Sequence, residues 1–414
     1  MNNAFDKASL FFIPRWRNVL KPMGVKPLSS KGVLVLTRSG TIGTYLNSSG
    51  KYVNEPLANM PRYSNNGSCL ELLVEGRSEN TCKSADIYDF DLANATFNQV
   101  SDSPIDAIQG VQLIENIGTG VGYFCTMVGD KFVSGQNNLV SFMYKPLAAG
   151  DTRHLSVILA GNGSGEVRLN TVTNTWVDSS DQDIVAVIAP EAIPNSGGWY
   201  RAGVFVNATY TEASVRYRLY NPLAGSLVYD GDGVSGLHLQ GHNITTDTEL
   251  TSYIPKYDND GATTVVRGQE TLVVSDLLTD SLIRSGAGTV QIHYKMSGSS
   301  NDNFWRIRGA SNDDMIAPSG QAVVFEKDGS TESTVAAVLA STGMNISNTV
   351  IAWADSNATI HANNSLIGSG AFTAAADLTE IRIQGISGKT FSLLKMAVWP
   401  FKIIDSAAMS ISNL

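Results

Sequence analysis

The sequence is poor in charge. Lys, Arg, Asp and Glu together make up 16% of its 414 residues, against about 25% in an average globular chain. Ser, Thr, Asn and 38 glycines take their place, a composition of sheets and loops rather than helices. No stretch approaches about 18 consecutive apolar residues, so no membrane-spanning helix is expected. The opening Met1-Asn2-Asn3-Ala4-Phe5-Asp6-Lys7 lacks the basic-then-apolar layout of a secretory signal. Cysteine is scarce and odd in number, with only Cys69, Cys82 and Cys125. That excludes a disulfide framework and fits free thiols in a reducing compartment. Without a secretory signal, the Asn-x-Ser/Thr triplets at Asn47, Asn66, Asn94, Asn162, Asn207 and Asn243 are chance matches. Catalytic signatures are missing as well: no Gly-x-Ser-x-Gly elbow, phosphate loop or dinucleotide fingerprint occurs.

What is present begins with 43% apolar residues, enough for two or three domains with real cores. The net charge is −9, unevenly spread. Residues 1–32 carry Lys7, Arg15, Arg17, Lys21, Lys26 and Lys31 against Asp6 alone, so the remainder is more acidic than the total. An acidic body argues against nucleic acid as a partner, because phosphate neutralisation needs a basic face.

Period-two alternation dominates the pattern. Val215-Arg216-Tyr217-Arg218-Leu219 and Val290-Gln291-Ile292-His293-Tyr294-Lys295-Met296 alternate strictly, and Thr379–Gln384 and Leu394–Val398 do so loosely. Each reads as a strand with one buried and one wet face. Glycine-rich turns such as Gly161-Asn162-Gly163-Ser164-Gly165 and Asp230-Gly231-Asp232-Gly233 separate such runs. The fold class expected is all-β, with two antiparallel β-sandwich (jelly-roll) domains and a short non-globular N-terminal arm. Prolines at 14, 22 and 27 forbid one long helix in the arm. Thr334–Ala340 is helix-permissive, and the Ser406–Leu414 tail has room for one helical turn. The boundaries expected are 1–32 for the arm, 33–265 for the first domain and 266–414 for the second, with Tyr257–Ala262 as a polar breaker.

A distinctive set of residues runs through the first domain. It comprises Leu36-Thr37-Arg38-Ser39-Gly40-Thr41, Thr44-Tyr45-Leu46, Gly50, Asn59, Pro61-Arg62-Tyr63 and Leu72-Leu73-Val74-Glu75-Gly76-Arg77-Ser78-Glu79-Asn80. This resembles a leader shared by many bacteriophage virion proteins of the tail, head-fibre or carbohydrate-binding kind, departing where Glu79 replaces the usual Thr. Gly198-Trp199-Tyr200-Arg201, Tyr229–Gly236 and Thr251-Ser252-Tyr253-Ile254-Pro255 resemble the same family's jelly-roll module. Arg267-Gly268-Gln269-Glu270 stands where that family has an Arg-Ala-Ala-Asp-like sequence. Residues 272–404 resemble a concanavalin-A-like (laminin-G-like) sandwich, with Ile381-Arg382-Ile383 and Ala397-Val398-Trp399-Pro400 as its last strands.

The resemblance implies a non-catalytic virion protein, assembled in the bacterial cytoplasm. It would be a capsid decoration, head fibre, or tail or collar component displaying sandwiches that bind host-surface glycans. Its partners would be other virion proteins, further copies of itself (trimers being usual in this family) and bacterial polysaccharide. A glycan-degrading enzyme or its binding module is the alternative, and a purely structural brace is a third reading.

Candidate sites follow from residue chemistry. Sugar platforms are exposed aromatics beside short polar groups. Trp176, within Asn174-Thr175-Trp176-Val177-Asp178-Ser179-Ser180, is the first such candidate, and Tyr210, between Thr209 and Thr211, is the second. Trp199, Trp305 and Trp399 read as core. The acids Asp178, Asp181, Asp183, Asp230, Asp232, Asp313 and Asp314 lie in polar clusters, with no apolar setting that would raise one carboxyl for acid catalysis. No organic cofactor is implied. Asp230 and Asp232 are weak candidates for a structural calcium, though without EF-hand spacing. His238 and His242, four apart on an extended segment, would share one sheet face without metal-ligand spacing. The arm's Phe11, Phe12, Arg15, Trp16 and Arg17 combine apolar area with arginine, the composition of a docking hot spot, and are the expected attachment residues.

Overall fold

A computed structural model describes residues 10–18, 21–25, 34–38, 43–54, 62–65, 70–83, 91–106, 108–147, 151–255, 264–278, 281–296, 304–309, 315–319, 322–327, 330–336, 345–373 and 378–412. They form an all-β protein of two antiparallel sandwiches, with one short helix among them, Asp405–Ser412.

The first sandwich faces one six-stranded sheet against another. One sheet runs, in spatial order, Ala95–Val100, Gly110–Glu115, Gly236–Thr245, Gln136–Pro146, Tyr200–Ala208, Ile184–Ala192. The other runs Thr175–Trp176, Glu166–Asn170, His154–Ala160, Glu212–Tyr220, Phe124–Lys131, Asp91–Ala93. Alternation delivers the expected faces. Val215, Tyr217 and Leu219 are fully buried, while Arg216 turns outward over the Phe124 ring at 4.2 Å. Phe142, Val204, Val206 and Leu237 fill the space between the sheets.

The second sandwich has one sheet ordered Lys21–Val25, Leu10–Asn18, Thr390–Trp399, Gly288–Met296, Asn345–Ala354, Asn357–Ala362, Ser365–Ala371. Leu70–Glu75 pairs with the first half of Thr390–Trp399 and carries Tyr63–Asn65 on its other edge. The opposing sheet runs Ser330–Ala336, Ala322–Lys327, Met315–Ser319, Trp305–Gly309, Leu378–Gln384, Glu270–Val274, Leu34–Arg38. The helix lays Ala408 and Ile411 against Val350, Ala352 and Trp399 on the outer face of the first of these sheets.

This architecture moves the expected boundaries. The segment expected to be a non-globular arm supplies two strands, with Leu10 paired to Val398 and Phe12 to Met396. Leu34–Arg38, Tyr63–Asn65 and Leu70–Glu75 also belong to the second sandwich, not to a first domain of residues 33–265. The first sandwich is therefore an insertion. The chain leaves for it through Ser78–Asn80 and returns through Val265–Arg267, and these two stretches pair in antiparallel register, Ser78 with Arg267 and Asn80 with Val265. Alternation reveals which face of a strand is buried, but not which distant strand it joins, because pairing is decided by tertiary packing. The polar breaker at Tyr257–Ala262 lies outside the described residues. Thr334–Ala336, part of the helix-permissive stretch, ends the strand Ser330–Ala336 instead, pairing with Ala322–Val324.

Candidate functional site

Charged residues of the leader motif and of the Arg267–Glu270 stretch meet at the neck between the two sandwiches. Arg62 donates from Nε and Nη2 to the two carboxylate oxygens of Glu270, at 2.8 and 2.6 Å. Its Nη2 also donates to Glu75 at 2.8 Å. Arg267 approaches Glu75 at 3.3 Å and donates to the Ser252 hydroxyl at 2.9 Å. Arg38 lies 3.6 Å from Glu270. All five charged side chains are inaccessible to water. Burial alone would raise the Glu75 carboxyl, but Arg267, Arg62 and the Ser252 donors outweigh it and hold it at about 2. Burial likewise works to lower the Arg62 guanidinium, and Glu270 and Glu75 overcome it and raise it. The carboxylates are neutralised within the group, and backbone and hydroxyl partners such as the Thr44 carbonyl and the Thr390 hydroxyl complete it. It clamps the two crossings of the neck and offers no open coordination.

Above this clamp lies a cleft of about 660 Å³, the kind of interdomain position where ligand sites concentrate. The second sandwich contributes Leu73 and Lys295, which stand at outward positions between core residues Leu72 and Val74, and Tyr294 and Met296. The first sandwich contributes Ile188, Glu191 and Arg201 from adjacent strands, with Glu191 directly opposite Arg201. A bulge between Ile188 and Glu191 shifts the register there, and bulges re-aim side chains beside functional sites. Tyr45 and Tyr52 come from the small hairpin of Thr44–Leu46 and Tyr52–Asn54.

The electrostatics of the cleft are unusual for their open ends. Arg201 is 6% exposed. It donates to the Thr251 carbonyl and, at 3.3 Å, to the Ser141 hydroxyl, while its Nε has no partner. Burial pushes the Tyr52 hydroxyl above its ordinary range, and the Arg201 guanidinium opposes that. Glu191 meets the water of the cleft, yet enough protein surrounds it for burial to raise its carboxyl, with Arg201 and Lys295 pulling the other way. Glu191 is not among the acids singled out from the sequence. The sequence carries a faint signal of it, an acid framed by Pro190 and Pro194 at the end of an apolar strand.

The residues singled out from sequence lie elsewhere. Trp176 is half-buried, edge-on to Phe142 at 6.4 Å between ring centroids, and its indole N–H donates to the Ile188 carbonyl at 2.7 Å. The second strand layer thus supplies the apolar bed its sequence neighbours lack. Tyr210 packs edge-on against Phe132 at 5.7 Å, and burial, with Asp183 beside it, pushes its hydroxyl up to about 12. Neither lines the cleft.

The calcium candidates are already occupied by the protein. Asp230 accepts from the Gly120 N–H at 2.8 Å. Asp232 accepts from Ser235 and Val234 and sits 3.2 Å from the Arg153 guanidinium, where a cation would be repelled. No metal-binding group of His, Cys, Asp and Glu occurs among the described residues. His238 and His242 do not share a face as expected. Gly241, at a φ of 65°, makes a bulge opposite Phe142 that offsets the register by one. His238 consequently packs on Trp199, and His242 enters the core between Tyr217 at 2.8 Å and Asp130 at 3.0 Å.

Trp199, Trp305 and Trp399 are core, as expected. Of the attachment residues, Phe12 is buried in the second core, because its strand is taken into the sheet. The side chains of Phe11, Arg15, Trp16 and Arg17 lie outside the described residues, as does Cys69. No helix among the described residues is long and apolar enough to cross a membrane.

No protein-family model matches the chain, and no curated protein sequence matches it. Among solved structures, the N-terminal CBM22-1-CBM22-2 tandem domain of Paenibacillus barcinonensis Xyn10C is similar over 75% of this chain and 93% of that one, at 9% identity. Its TM-score of 0.23 is too low to carry any inference about this protein.

Proposed function

We propose that this chain is a non-catalytic component of a bacteriophage particle that binds glycan in the cleft between its two sandwiches. The cleft carries the binding half of the reading. It joins two tyrosines and apolar side chains to charged and polar groups, with Arg201 Nε left without a partner, the mixture that a sugar's CH face and hydroxyls require. The virion half rests on the leader motif, whose residues Arg38, Arg62 and Glu75 form the neck clamp together with Arg267 and Glu270 from the later Arg267–Glu270 stretch. On this reading the protein is assembled in the host cytoplasm as a decoration, fibre or tail component, together with other virion proteins and copies of itself as a trimer. The four attachment side chains still open to that role are Phe11, Arg15, Trp16 and Arg17.

The test has two arms. Purified particles should contain the chain at fixed copy number. The full-length protein should be retained on host polysaccharide, and Tyr52→Ala should weaken that retention at least tenfold. A protein absent from particles would remove the virion reading, and undiminished retention of the variant would remove the cleft as its binding site. The raised Glu191 carboxyl favours one second reading, a glycan-degrading enzyme with Glu191 as the acid. Release of reducing ends by the wild type but not by Glu191→Gln would establish it.

A further inference from the structure

The glycan reading of the cleft leaves the class of sugar undefined, and the charges inside narrow it. Three groups there have unused hydrogen-bonding capacity. Glu191 makes no hydrogen bond or ion pair within 4 Å among the described residues, and the same holds for Lys295. Arg201 keeps Nε without a partner although the residue is more than nine-tenths buried. These three nonetheless sense one another, since the electric field of Arg201 and Lys295 lowers the Glu191 carboxyl against the effect of burial. Glu191 stands directly opposite Arg201 on the adjacent strand and Lys295 lines the same cleft, so an acceptor and two donors surround one gap.

What fills such a gap must both donate and accept. An isolated carboxylate ligand only accepts. It would meet Arg201 and Lys295, but also the acids Glu71, Glu191 and Glu249 lining the same walls. A cationic ligand only donates, and it would leave the Arg201 Nε and the Lys295 ammonium unsatisfied. A hydroxyl does both, donating one hydrogen and accepting through its lone pairs. Two neighbouring hydroxyls can donate to Glu191 while accepting from Arg201 and Lys295, with charge-assisted bonds on each side.

Resting on the glycan reading above, we infer that the cleft selects a neutral pyranose bearing a free vicinal diol. The diol bridges Glu191 to Arg201 and Lys295. The apolar face of the ring lies among Tyr45, Tyr52, Leu73 and Ile188.

The experiment retains full-length protein on immobilised neutral polysaccharides (dextran, mannan, galactan) and acidic ones (alginate, polygalacturonate, polysialic acid). Each is used before and after periodate, which cleaves the carbon–carbon bond of a vicinal diol. The expected result is retention on a neutral polymer, lost at least tenfold after periodate. Glu191→Gln and Lys295→Met should each weaken it about tenfold with unchanged melting temperature. Retention that survives periodate would overturn the diol. Preference for acidic polymers, strengthened by Glu191→Gln, would replace it with a carboxylate site. Binding untouched by Tyr52→Ala, Glu191→Gln and Lys295→Met together would place the sugar outside the cleft and sink the glycan reading of that site. Retention on no polymer would remove the reading and the inference with it.

Discussion

At the scale of single residues, local sequence misleads wherever the deciding neighbour is far away in the chain. Trp176 is flanked by Thr175 and Val177 and stands among short polar groups, yet Phe142 and the Ile188 carbonyl hold it. Trp176→Ala should therefore lower stability by about 2–3 kcal/mol, a partial core truncation plus one lost hydrogen bond. Urea unfolding measures this, and glycan retention should be unchanged. The acidic turn misleads in the same way, since Arg153, not a metal, answers Asp232. EDTA should accordingly leave the melting temperature where it was. Glu75 shows the opposite case, a residue legible as part of a motif but not in its role. Its carboxyl is held at about 2 in the folded protein, below the ordinary 4.5, so folding favours its ionised form. That stabilisation is complete above about pH 4.5 and lost as pH falls toward about 2. Melting temperature should stay level down to the top of that window and then fall. Glu75→Gln should cost about 3–5 kcal/mol at neutral pH by leaving arginines buried without their partner, and should flatten the acid limb.

At the scale of elements, strands were legible and their pairings were not. Alternation placed Val215–Leu219 and Val290–Met296 correctly, because one buried and one wet face leave a mark in the sequence. The N-terminal segment left no such mark. Pro14 falls in the stretch where the register between Leu10–Asn18 and Lys21–Val25 shifts, between Phe12 and Arg17, and a proline inside a strand is tolerated at such irregularities. Its basic and aromatic residues read as a docking peptide, whereas Leu10 and Phe12 enter the second core at 5% and 4% exposure. Deleting residues 2–32 should therefore destabilise the second sandwich and not merely detach the protein from a partner. A thermal melt of the truncated chain should show one transition shifted well below that of the full chain. An unshifted melt would return the segment to the status of a free arm.

At the scale of the whole molecule, the leader motif and the Arg267–Glu270 stretch share one physical account. Arg38, Arg62, Glu75, Arg267 and Glu270 span more than two hundred residues of sequence and meet in one buried cluster. A clamp of this kind is needed where a chain must leave one sandwich, build another and come back. Ser78–Asn80 and Val265–Arg267 pair at that point, so the ends of the insertion are adjacent, which is the condition under which an inserted domain folds by itself. The two halves of the chain should then behave unequally when separated. Residues 78–267 hold both sheets of the first sandwich and its core apart from Leu46 and Tyr52 of the small hairpin, and expressed alone they should give a cooperative melt and a dispersed amide spectrum. Residues 268–414 look like a complete domain by sequence pattern, but they lack the strands Leu10–Asn18, Lys21–Val25, Leu34–Arg38, Tyr63–Asn65 and Leu70–Glu75. Their absence uncovers one edge of Thr390–Trp399 and one edge of Glu270–Val274, along with the apolar surface that Leu36, Leu72 and Val74 bury. Exposed edges of that sort aggregate. The 268–414 fragment should be insoluble or molten alone, and should be rescued by co-expression with residues 1–77. A soluble, cooperatively folding 268–414 would show that the N-terminal strands are dispensable decoration on the second sandwich.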